Sequence, residues 1–392
     1  MKKVLAVIVI AQAFCTSVWF ASNAVLTDLV LSLQLQDSFL AHLTSAVQGG
    51  FITGTLLYAL LAIADRYSPS KVFFVSAILA SLFNLAMLLE NTGPLGLVIF
   101  RFCTGFFLAG IYPVGMKIAS DYYGKGLGAS LGFLVGALVL GTALPHGLKS
   151  IGADLPWKVV VWATSGLALL GGILIGVAVP DGPYRKKGQH WQLTAVTKSF
   201  KNSAFRAAAL GYFGHMWELY AFWAFVPLML TYYNQQVTDS WLQVPLFSFF
   251  IIASGGVACV VSGLLSQKVP PQKLATGFLF LSCLCCLLSP LFLAQASPLL
   301  LLVFLLFWGW VVVADSPMFS TLVAQHAPPE LRGTALTIVN CIGFAITIVS
   351  IQLLNFLLTP ANAVYIFAIL AIGPLLGLWA LVKKAFKAVP AT

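Results

Sequence analysis

The basic residues of this 392-residue chain fall in every second gap between its apolar stretches. Eighteen of the 21 Lys and Arg residues lie in these alternate gaps or near the two ends of the chain; the others are Arg101, Lys149 and Lys158. The apolar stretches are residues 4–27, 41–63, 72–89, 95–116, 127–148, 157–179, 206–232, 244–266, 274–294, 299–322, 334–358 and 363–382. Each is long enough to cross a hydrocarbon core of about 30 Å, which needs roughly 20 helical residues. Because basic residues near helix ends are retained in the cytoplasm, the pattern predicts twelve transmembrane helices with both termini cytoplasmic.

Composition excludes a soluble protein. Hydrophobic residues make up 60% of the chain and charged residues 8%, whereas soluble domains carry about 25% charged residues. The net charge of +10 follows from the basic cytoplasmic gaps, so we expect membrane lipid around the chain and no nucleic-acid partner. All seven cysteines lie in apolar stretches, with no second pair or nearby histidine to complete a metal or redox site. We therefore expect no cofactor and no metal.

A polar stretch divides the chain into two similar halves. Residues 181–204 form a predicted cytoplasmic linker between a six-helix bundle at 1–180 and a second bundle at 205–392. At an offset near 204 residues, Arg101–Pro113 corresponds to Leu305–Pro317. Parallel repeats of this kind place a substrate between the halves near the bilayer midplane. The sequence predicts an all-α membrane protein whose two six-helix bundles are related by pseudo-two-fold symmetry.

Two motifs make the chain resemble the major facilitator superfamily over essentially its whole length. The family's cytoplasmic motif G-x-x-x-D-R-x-G-R-R appears in degenerate form as Leu61, Asp65, Arg66, Ser68 and Lys71. The family's R-x-x-x-G of helix four appears as Arg101 and Gly105. The resemblance implies the major facilitator fold, with Asp65, Arg66 and Lys71 in a gating loop. Helices four and seven also show a weak likeness to nitrate and cyanate porter-like members.

Arg101 lies inside the fourth predicted helix, about six residues from its outer start. An arginine in a membrane span costs at least about 2.5–3.5 kcal/mol and usually marks a substrate pathway or an internal pair. Its planar guanidinium matches a carboxylate or oxyanion in a bidentate contact, so we predict that Arg101 binds the substrate. The alternative is a purely structural Arg101 that packs helices through a salt bridge or through backbone carbonyls.

Titratable residues in helices seven and ten predict proton coupling. His215 and Glu218 are spaced i and i+3, so they share one helix face near the bilayer midplane. A carboxyl and an imidazole in a low dielectric can exchange one proton near neutral pH. Asp315 lies two residues before Pro317, which removes a backbone donor and can open the helix beside the carboxylate. In each case the alternative is a polar group that only stabilises helix packing.

Further substrate contacts are predicted in helices one and seven. Asn23 and Trp19 belong to a polar series in the first helix, which borders the cavity in the resembled family. Tyr220 and Trp223 lie beside His215 and Glu218. Aromatic residues at this density also serve packing, and that alternative stays open here.

These features together predict a secondary active transporter rather than an enzyme, because no nucleophile–base pair and no Walker motif is visible. We expect symport of protons with a small solute, with a preference for an anion or zwitterion, by alternating access. The alternative is a proton-driven exporter of a drug, metallophore or metabolite. We expect a monomer in a bacterial-type inner membrane.

Overall fold

The computed structural model describes residues 2–35, 39–90, 92–122, 127–151, 156–185, 199–328 and 331–387. These residues form helices and connecting turns, with no β-strand. The α-helices are α1 Lys2–Thr16, α2 Ala21–Ala24, α3 Leu26–Leu33, α4 Phe39–Leu60, α5 Ile63–Arg66, α6 Pro69–Leu85, α7 Pro94–Leu108, α8 Tyr112–Tyr122, α9 Leu127–Ile151, α10 Trp157–Ala178, α11 Ser203–Gln236, α12 Val244–Leu265, α13 Pro271–Gln295, α14 Pro298–Ala314, α15 Ser316–His326, α16 Arg332–Leu357 and α17 Ile372–Lys387. Two 3₁₀ segments, Ala86–Leu88 and Ile366–Ala371, precede α7 and α17.

Among the described residues, nine helical segments are long and apolar enough to cross a membrane. They are Pro69–Leu88, Pro94–Tyr122, Ser130–Ile151, Trp157–Ala178, Val244–Leu265, Pro271–Ala294, Pro298–His326, Arg332–Leu357 and Ile366–Lys383. The other three predicted stretches are helical too. The first is divided among α1, α2 and α3, while α4 and α11 carry polar residues such as Gln48 and Glu218 that lower their hydropathy. The fold class is confirmed, and the count of twelve spans stays a prediction.

Helix starts follow simple backbone chemistry. Proline occupies the first position of α7, α13 and α14, as Pro94, Pro271 and Pro298. A proline there is favourable because the first backbone N–H groups of a helix have no intrahelical partner. At the start of α11, the Asn202 side chain accepts a hydrogen bond from the Ala204 N–H at 2.9 Å. The chain therefore specifies where these spans begin.

Two helix pairs carry most of the packing between residues 1–180 and 205–392. Helix α4 packs along α16, and α9 packs along α12. In the second pair the backbones meet at Gly136 and Gly256, where a β-carbon on Gly136 would lie only 2.8 Å from the Gly256 carbonyl oxygen. The division into two bundles stays a proposal, as does the 181–204 linker, of which residues 186–198 lie outside the described part of the chain.

Three predicted spans are interrupted inside the molecule. The first helix opens at residues 17–20, between α1 and α2, and the fourth opens at 109–111, between α7 and α8. The tenth opens at Asp315, between α14 and α15, as Pro317 predicted. At an offset near 204 residues, the second and third interruptions correspond to one another. Each frees backbone carbonyls that must find partners within the protein, because a bilayer offers none.

Candidate substrate and proton sites

An aromatic cluster lies between the two predicted halves. It consists of Trp19, Phe20 and Phe51 from the first half and Tyr220, Trp223 and Phe344 from the second. The ring centroid of Trp19 lies 4.8 Å from that of Phe51 and 5.6 Å from that of Phe344. Tyr220 lies 5.1 Å from both Trp223 and Phe344. All six side chains are buried, so the cluster is closed in this conformation.

Unpartnered polar atoms accompany these rings. The indole nitrogens of Trp19 and Trp223 are buried without a hydrogen-bond partner. Both polar atoms of the Gln48 carboxamide are also unpartnered, and the Gln48 side chain is fully buried. Each such group costs about 1–3 kcal/mol, so a ligand that satisfied them would regain this free energy.

Gln48 lies on the face of α4 that points toward the cluster. Thr44 and Phe51 are four residues before and three residues after it, and residues at these spacings share a helix face. The Thr44 hydroxyl accepts a hydrogen bond from the Asn23 side chain at 3.0 Å, and Phe51 contacts Trp19. The predicted residues Asn23 and Trp19 therefore contact the same face of α4 that carries Gln48, a residue that was not predicted.

Arg101 is fully buried, and both terminal nitrogens of its guanidinium donate within the protein, while its Nε has no hydrogen-bond partner among the described residues. Its Nη1 donates to the Asn84 Oδ1 at 2.9 Å. Its Nη2 donates to the carbonyl oxygens of Val18 at 2.9 Å and Trp19 at 2.5 Å. These two carbonyls are the ones freed where the first helix opens. This geometry supports the structural alternative for Arg101, with neutral acceptors in place of a salt bridge.

Asn84 extends this network across the first half. Its side-chain nitrogen donates to the Ser165 hydroxyl at 2.9 Å and to the Thr164 hydroxyl at 3.1 Å. The Ser81 hydroxyl donates to the Ser165 carbonyl oxygen at 2.8 Å. The network of Arg101, Asn84, Thr164 and Ser165 therefore joins α6, α7 and α10 to the opened first helix.

Glu218 is held by neutral donors from neighbouring helices. The Trp308 indole donates to the Glu218 Oε1 at 2.6 Å, and the Ser282 hydroxyl donates to its Oε2 at 2.9 Å. The Cys286 thiol is a further donor to this carboxyl group. Glu218 is fully buried and has no cation as partner among the described residues. A carboxyl group in this setting can hold or release a proton without breaking a salt bridge.

His215 contacts Asp315 rather than Glu218. The His215 Nδ1 lies 2.8 Å from the Asp315 Oδ1, and both side chains are buried. The contact has the distance of an ion pair without the angles of a hydrogen bond. His215 Nε2 and Asp315 Oδ2 have no hydrogen-bond partner. Asp315 lies at the helix interruption, so the pair joins α11 to the junction of α14 and α15.

The predicted gating loop makes its contacts with the first half and with the start of the predicted linker. Asp65 forms an ion pair with Lys117 at 2.8 Å. Arg185 donates to the backbone carbonyl oxygens of Asp65 and Tyr67. Arg66 and Lys71 are exposed, and among the described residues neither makes a hydrogen bond or ion pair. The described part of the chain thus shows Asp65 in a contact, and the gating role of the three residues stays a prediction.

A separate apolar groove faces outward. It has a volume of about 450 Å³ and lies between α9, α12 and α14. Val257, Phe250 and Leu140 line it and are exposed over 61%, 48% and 41% of their surfaces. Exposed apolar side chains on a membrane-spanning helix face lipid, so this groove is not the enclosed substrate site.

Sequence reasoning missed five polar or aromatic contributors to these sites. They are Gln48, Asn84, Ser282, Cys286 and Trp308. Gln48 and Asn84 carried a signal, because each is a lone amide inside an apolar stretch. Ser282, Cys286 and Trp308 carried none, since serine, cysteine and tryptophan are common in apolar helices. Only the packing of α13 and α14 against α11 brings the last three to Glu218.

Comparisons with known proteins agree with this fold. The model of the Major Facilitator Superfamily matches residues 8–351. None of the curated proteins matches the sequence significantly. The crystal structure of the human organic anion transporter MFSD10 (TETRAN) has a TM-score of 0.76 at 14% identity, covering 97% of this chain and 99% of that one.

Two other solved structures are similar to this chain. A bacterial homolog of the human lysosomal transporter Spinster, in an inward-facing and occupied conformation, has a TM-score of 0.71 at 12% identity and covers 98% of this chain and 97% of its own. The nucleoside transporter NupG has a TM-score of 0.72 at 13% identity and covers 97% of this chain and 99% of its own. At these identities the likeness shows the shared fold.

Proposed function

Because this chain belongs to the major facilitator superfamily, we propose that it is a proton-coupled symporter of a small solute. Membership makes it an integral membrane transporter and not an enzyme. The three similar structures carry different names, an organic anion transporter, a Spinster homolog and a nucleoside transporter, so the fold alone leaves the solute open. Coupling and solute must be argued from the side chains of this chain.

The single observation that supports the coupling proposal is a set of three buried titratable side chains in the second half. Glu218 and the His215–Asp315 pair lie on α11 and at the interruption beside it, all with less than 2% exposure. Buried ionisable residues in a membrane protein are costly and mark functional sites. A proton bound there can face either side of the membrane as the two halves rock. Glu218 and Asp315 are the proposed proton acceptors, and His215 adjusts the charge beside Asp315.

The interface between the halves suits such a motion. Among the described residues, the side-chain hydrogen bonds across it are those of Gln352 to Ser45, at 2.9 Å, and of the Cys341 thiol to the Ile52 carbonyl oxygen, at 3.9 Å. The rest is ring stacking and close glycine contact. Little hydrogen bonding must be broken when the bundles separate, and the aromatic cluster then becomes accessible.

The anion preference drawn from Arg101 loses its support, because both terminal nitrogens of the guanidinium are already bonded to internal acceptors. We assign Arg101 to holding the opened first helix. The solute instead binds at the aromatic cluster, with Trp19 and Asn23 of the first half and Tyr220 and Trp223 of the second half as its proposed contacts.

Two experiments on purified protein in proteoliposomes test the proposal. Counterflow with a panel of labelled solutes identifies a carried compound. A pH dye trapped inside the vesicles then reports whether adding that compound outside acidifies the lumen. Symport predicts acidification and accumulation driven by an inside-alkaline gradient. Transport of the compound with no proton movement would refute proton coupling.

Export is the second candidate, because a largely aromatic site would accept a bulky apolar drug or metabolite. Cells that overproduce the protein should accumulate the carried compound if it is an importer and lose it if it is an exporter.

The orientation is part of the same proposal: both termini cytoplasmic, in a bacterial-type inner membrane. A single cysteine at position 71 should be shielded from an impermeant reagent in intact cells, and one at position 90 should react.

A further inference from the structure

The aromatic cluster has a hydrogen-bonding pattern that restricts the class of solute. Its described side chains carry no formal charge. The two unpartnered indole N–H groups, of Trp19 and Trp223, are donors only. The unpartnered Gln48 carboxamide offers one acceptor and two donor hydrogens side by side. A ligand that satisfied all three groups would present acceptors to the indoles and an adjacent donor and acceptor to Gln48.

The rings set the shape of the ligand. Phe51, Phe344 and Tyr220 surround Trp19, with centroid distances of 4.8, 5.6 and 5.9 Å. Trp19 and Phe344 are nearly stacked, with an interplanar angle of 26°. When the halves separate, these faces part, and a flat ring can replace the lost stacking. Offset stacking of this kind contributes about 0.5–1.5 kcal/mol per pair beyond the area buried.

Charge argues against an ionic solute at this position. An isolated carboxylate or ammonium transferred into a dry aromatic site is costly unless a partner ion meets it. On the side of the first helix, Arg101 directs both of its terminal nitrogens to Asn84 and to two backbone carbonyls, and not to the rings. Glu218 is bonded to Trp308 and Ser282 on the far side of α11. Among the described residues, the cation–π contact is that of Lys383 with Trp379, so no charged side chain stacks on a ring of the cluster.

We infer that the transported solute is an uncharged, planar heteroaromatic compound with an amide-like edge, bound between Trp19, Gln48, Tyr220 and Trp223. This inference rests on the proposed transport function and goes beyond it by naming the class of solute. It also assigns Gln48 as a specificity-determining residue, since its carboxamide pairs with the amide edge of the ligand. Trp19 and Trp223 provide both a stacking face and a donor.

Matched pairs of compounds test the inference on the full-length protein. Uracil and orotate differ by one carboxylate on the same ring, and nicotinamide and nicotinate differ by an amide replaced with a carboxylate. Equilibrium binding to the purified protein, without any ion gradient, should favour the neutral member of at least one pair by tenfold or more. Failure of both neutral compounds to bind, or tighter binding of an anionic partner, would overturn the inference.

Two variants test the location of the site, and a third serves as a control. Trp19→Phe keeps the ring and removes the donor, and Gln48→Leu keeps the approximate volume and removes both polar atoms. Each should weaken binding of the preferred neutral compound about tenfold without lowering the thermal unfolding temperature of the unliganded protein, because each removes buried polar atoms that have no partner there. Trp217→Phe is the matched control, because the Trp217 indole already donates to the Ile369 carbonyl oxygen outside the cluster. Unchanged binding in both Trp19→Phe and Gln48→Leu would contradict the assignment.

The test of the solute class can fail independently of the test of proton symport. Neutral binding at the cluster without substrate-dependent proton movement would refute symport and leave the solute class standing. Proton-driven transport of an anionic compound that depends on neither Trp19 nor Gln48 would refute the solute class and leave symport standing.

Discussion

The buried polar groups of the two halves differ in the kind of chemistry they permit. In the first half, Arg101 and Asn84 form a network whose acceptors are amide, hydroxyl and backbone oxygens. In the second half, Glu218, His215 and Asp315 can each gain or lose a proton. Both groups lie at helix interruptions or beside them. The repeat therefore preserves the interruption of the fourth and tenth spans but not the positions of the buried polar groups.

This asymmetry implies a division of labour. In the proposed mechanism, the first half uses a permanent charge to hold an opened helix and to present Trp19 to the solute. In the same proposal, the second half uses titratable groups whose protonation changes during transport. At an offset of 204 residues, Arg101 corresponds to Leu305 and Ile111 corresponds to Asp315. The buried charged residues of the two halves therefore lie at different positions along the repeat.

The largest effect on folding is expected from Arg101→Ala. It leaves the carbonyl oxygens of Val18 and Trp19 and the Asn84 amide oxygen without their donor, at about 1–3 kcal/mol for each group. The stability should fall by on the order of 3 kcal/mol or more, and all modes of transport should be lost. Thermal unfolding in detergent measures this. Arg206→Ala, at an exposed helix start, is the control and should unfold like the parent protein.

The largest effect on coupling without an effect on folding is expected from Asp315→Asn. The amide has the shape of the carboxylate but cannot carry a proton, so gradient-driven accumulation should fall at least tenfold while counterflow continues. Its unfolding temperature should stay close to that of the parent protein, because among the described residues Asp315 pairs with His215, which can lose its charge when the carboxylate is removed. Loss of counterflow in a folded Asp315→Asn protein would place Asp315 among the solute contacts instead.

A smaller loss of stability is expected from Asn84→Leu, about 1–3 kcal/mol, because the Arg101 Nη1 and the two hydroxyls lose a partner. Asn84→Asp sharpens the comparison, since its carboxylate can still accept from Arg101, whereas the two hydroxyls that now accept from Asn84 must turn and donate to it. We expect Asn84→Asp to unfold within about 1 kcal/mol of the parent protein. If it unfolds as readily as Asn84→Leu, the network depends on the amide donor and not on the acceptor for Arg101.

The smallest effect is expected from Asp65→Asn in the predicted gating loop. The side chains of Lys117 and Asp65 are 25% and 27% exposed, and ion pairs of this kind contribute about 0.2–1 kcal/mol. Stability should barely change, and high salt should remove the difference. A shift larger than 2 kcal/mol, measured by thermal unfolding at low salt, would show that the loop stabilises the whole first half.

The fold could be predicted from the sequence because the positions of basic residues determine the orientation of membrane helices, and the lengths of apolar stretches determine which segments can span the bilayer. The sequence was also sufficient for the helix interruption at Asp315, since Pro317 cannot continue the backbone hydrogen bonding. It could not predict which buried groups meet. His215 and Glu218 share a helix face, yet Asp315 from the tenth span approaches His215, and Trp308 and Ser282 approach Glu218. Such partners depend on how helices rotate against each other, which periodicity in an almost uniformly apolar helix does not encode.

The first helix shows the same limit. The run 4–27 predicts one continuous helix, and the structure opens it at residues 17–20. No proline or glycine marks this position. The opening depends on Arg101, which comes from a distant part of the chain and bonds the freed carbonyls. A partner in space, and not a local signal, stabilises the interruption.

The central claim is that coupling belongs to the second half and positioning to the first, and two variants measured in parallel test it. Glu218→Gln and Arg101→Lys are each reconstituted, and gradient-driven accumulation and counterflow of the same carried compound are compared. Glu218→Gln should lose accumulation and keep counterflow, whereas Arg101→Lys should reduce both by the same factor. If Glu218→Gln accumulates the compound normally in an inside-alkaline gradient, or if Arg101→Lys loses only accumulation, the division of labour is contradicted.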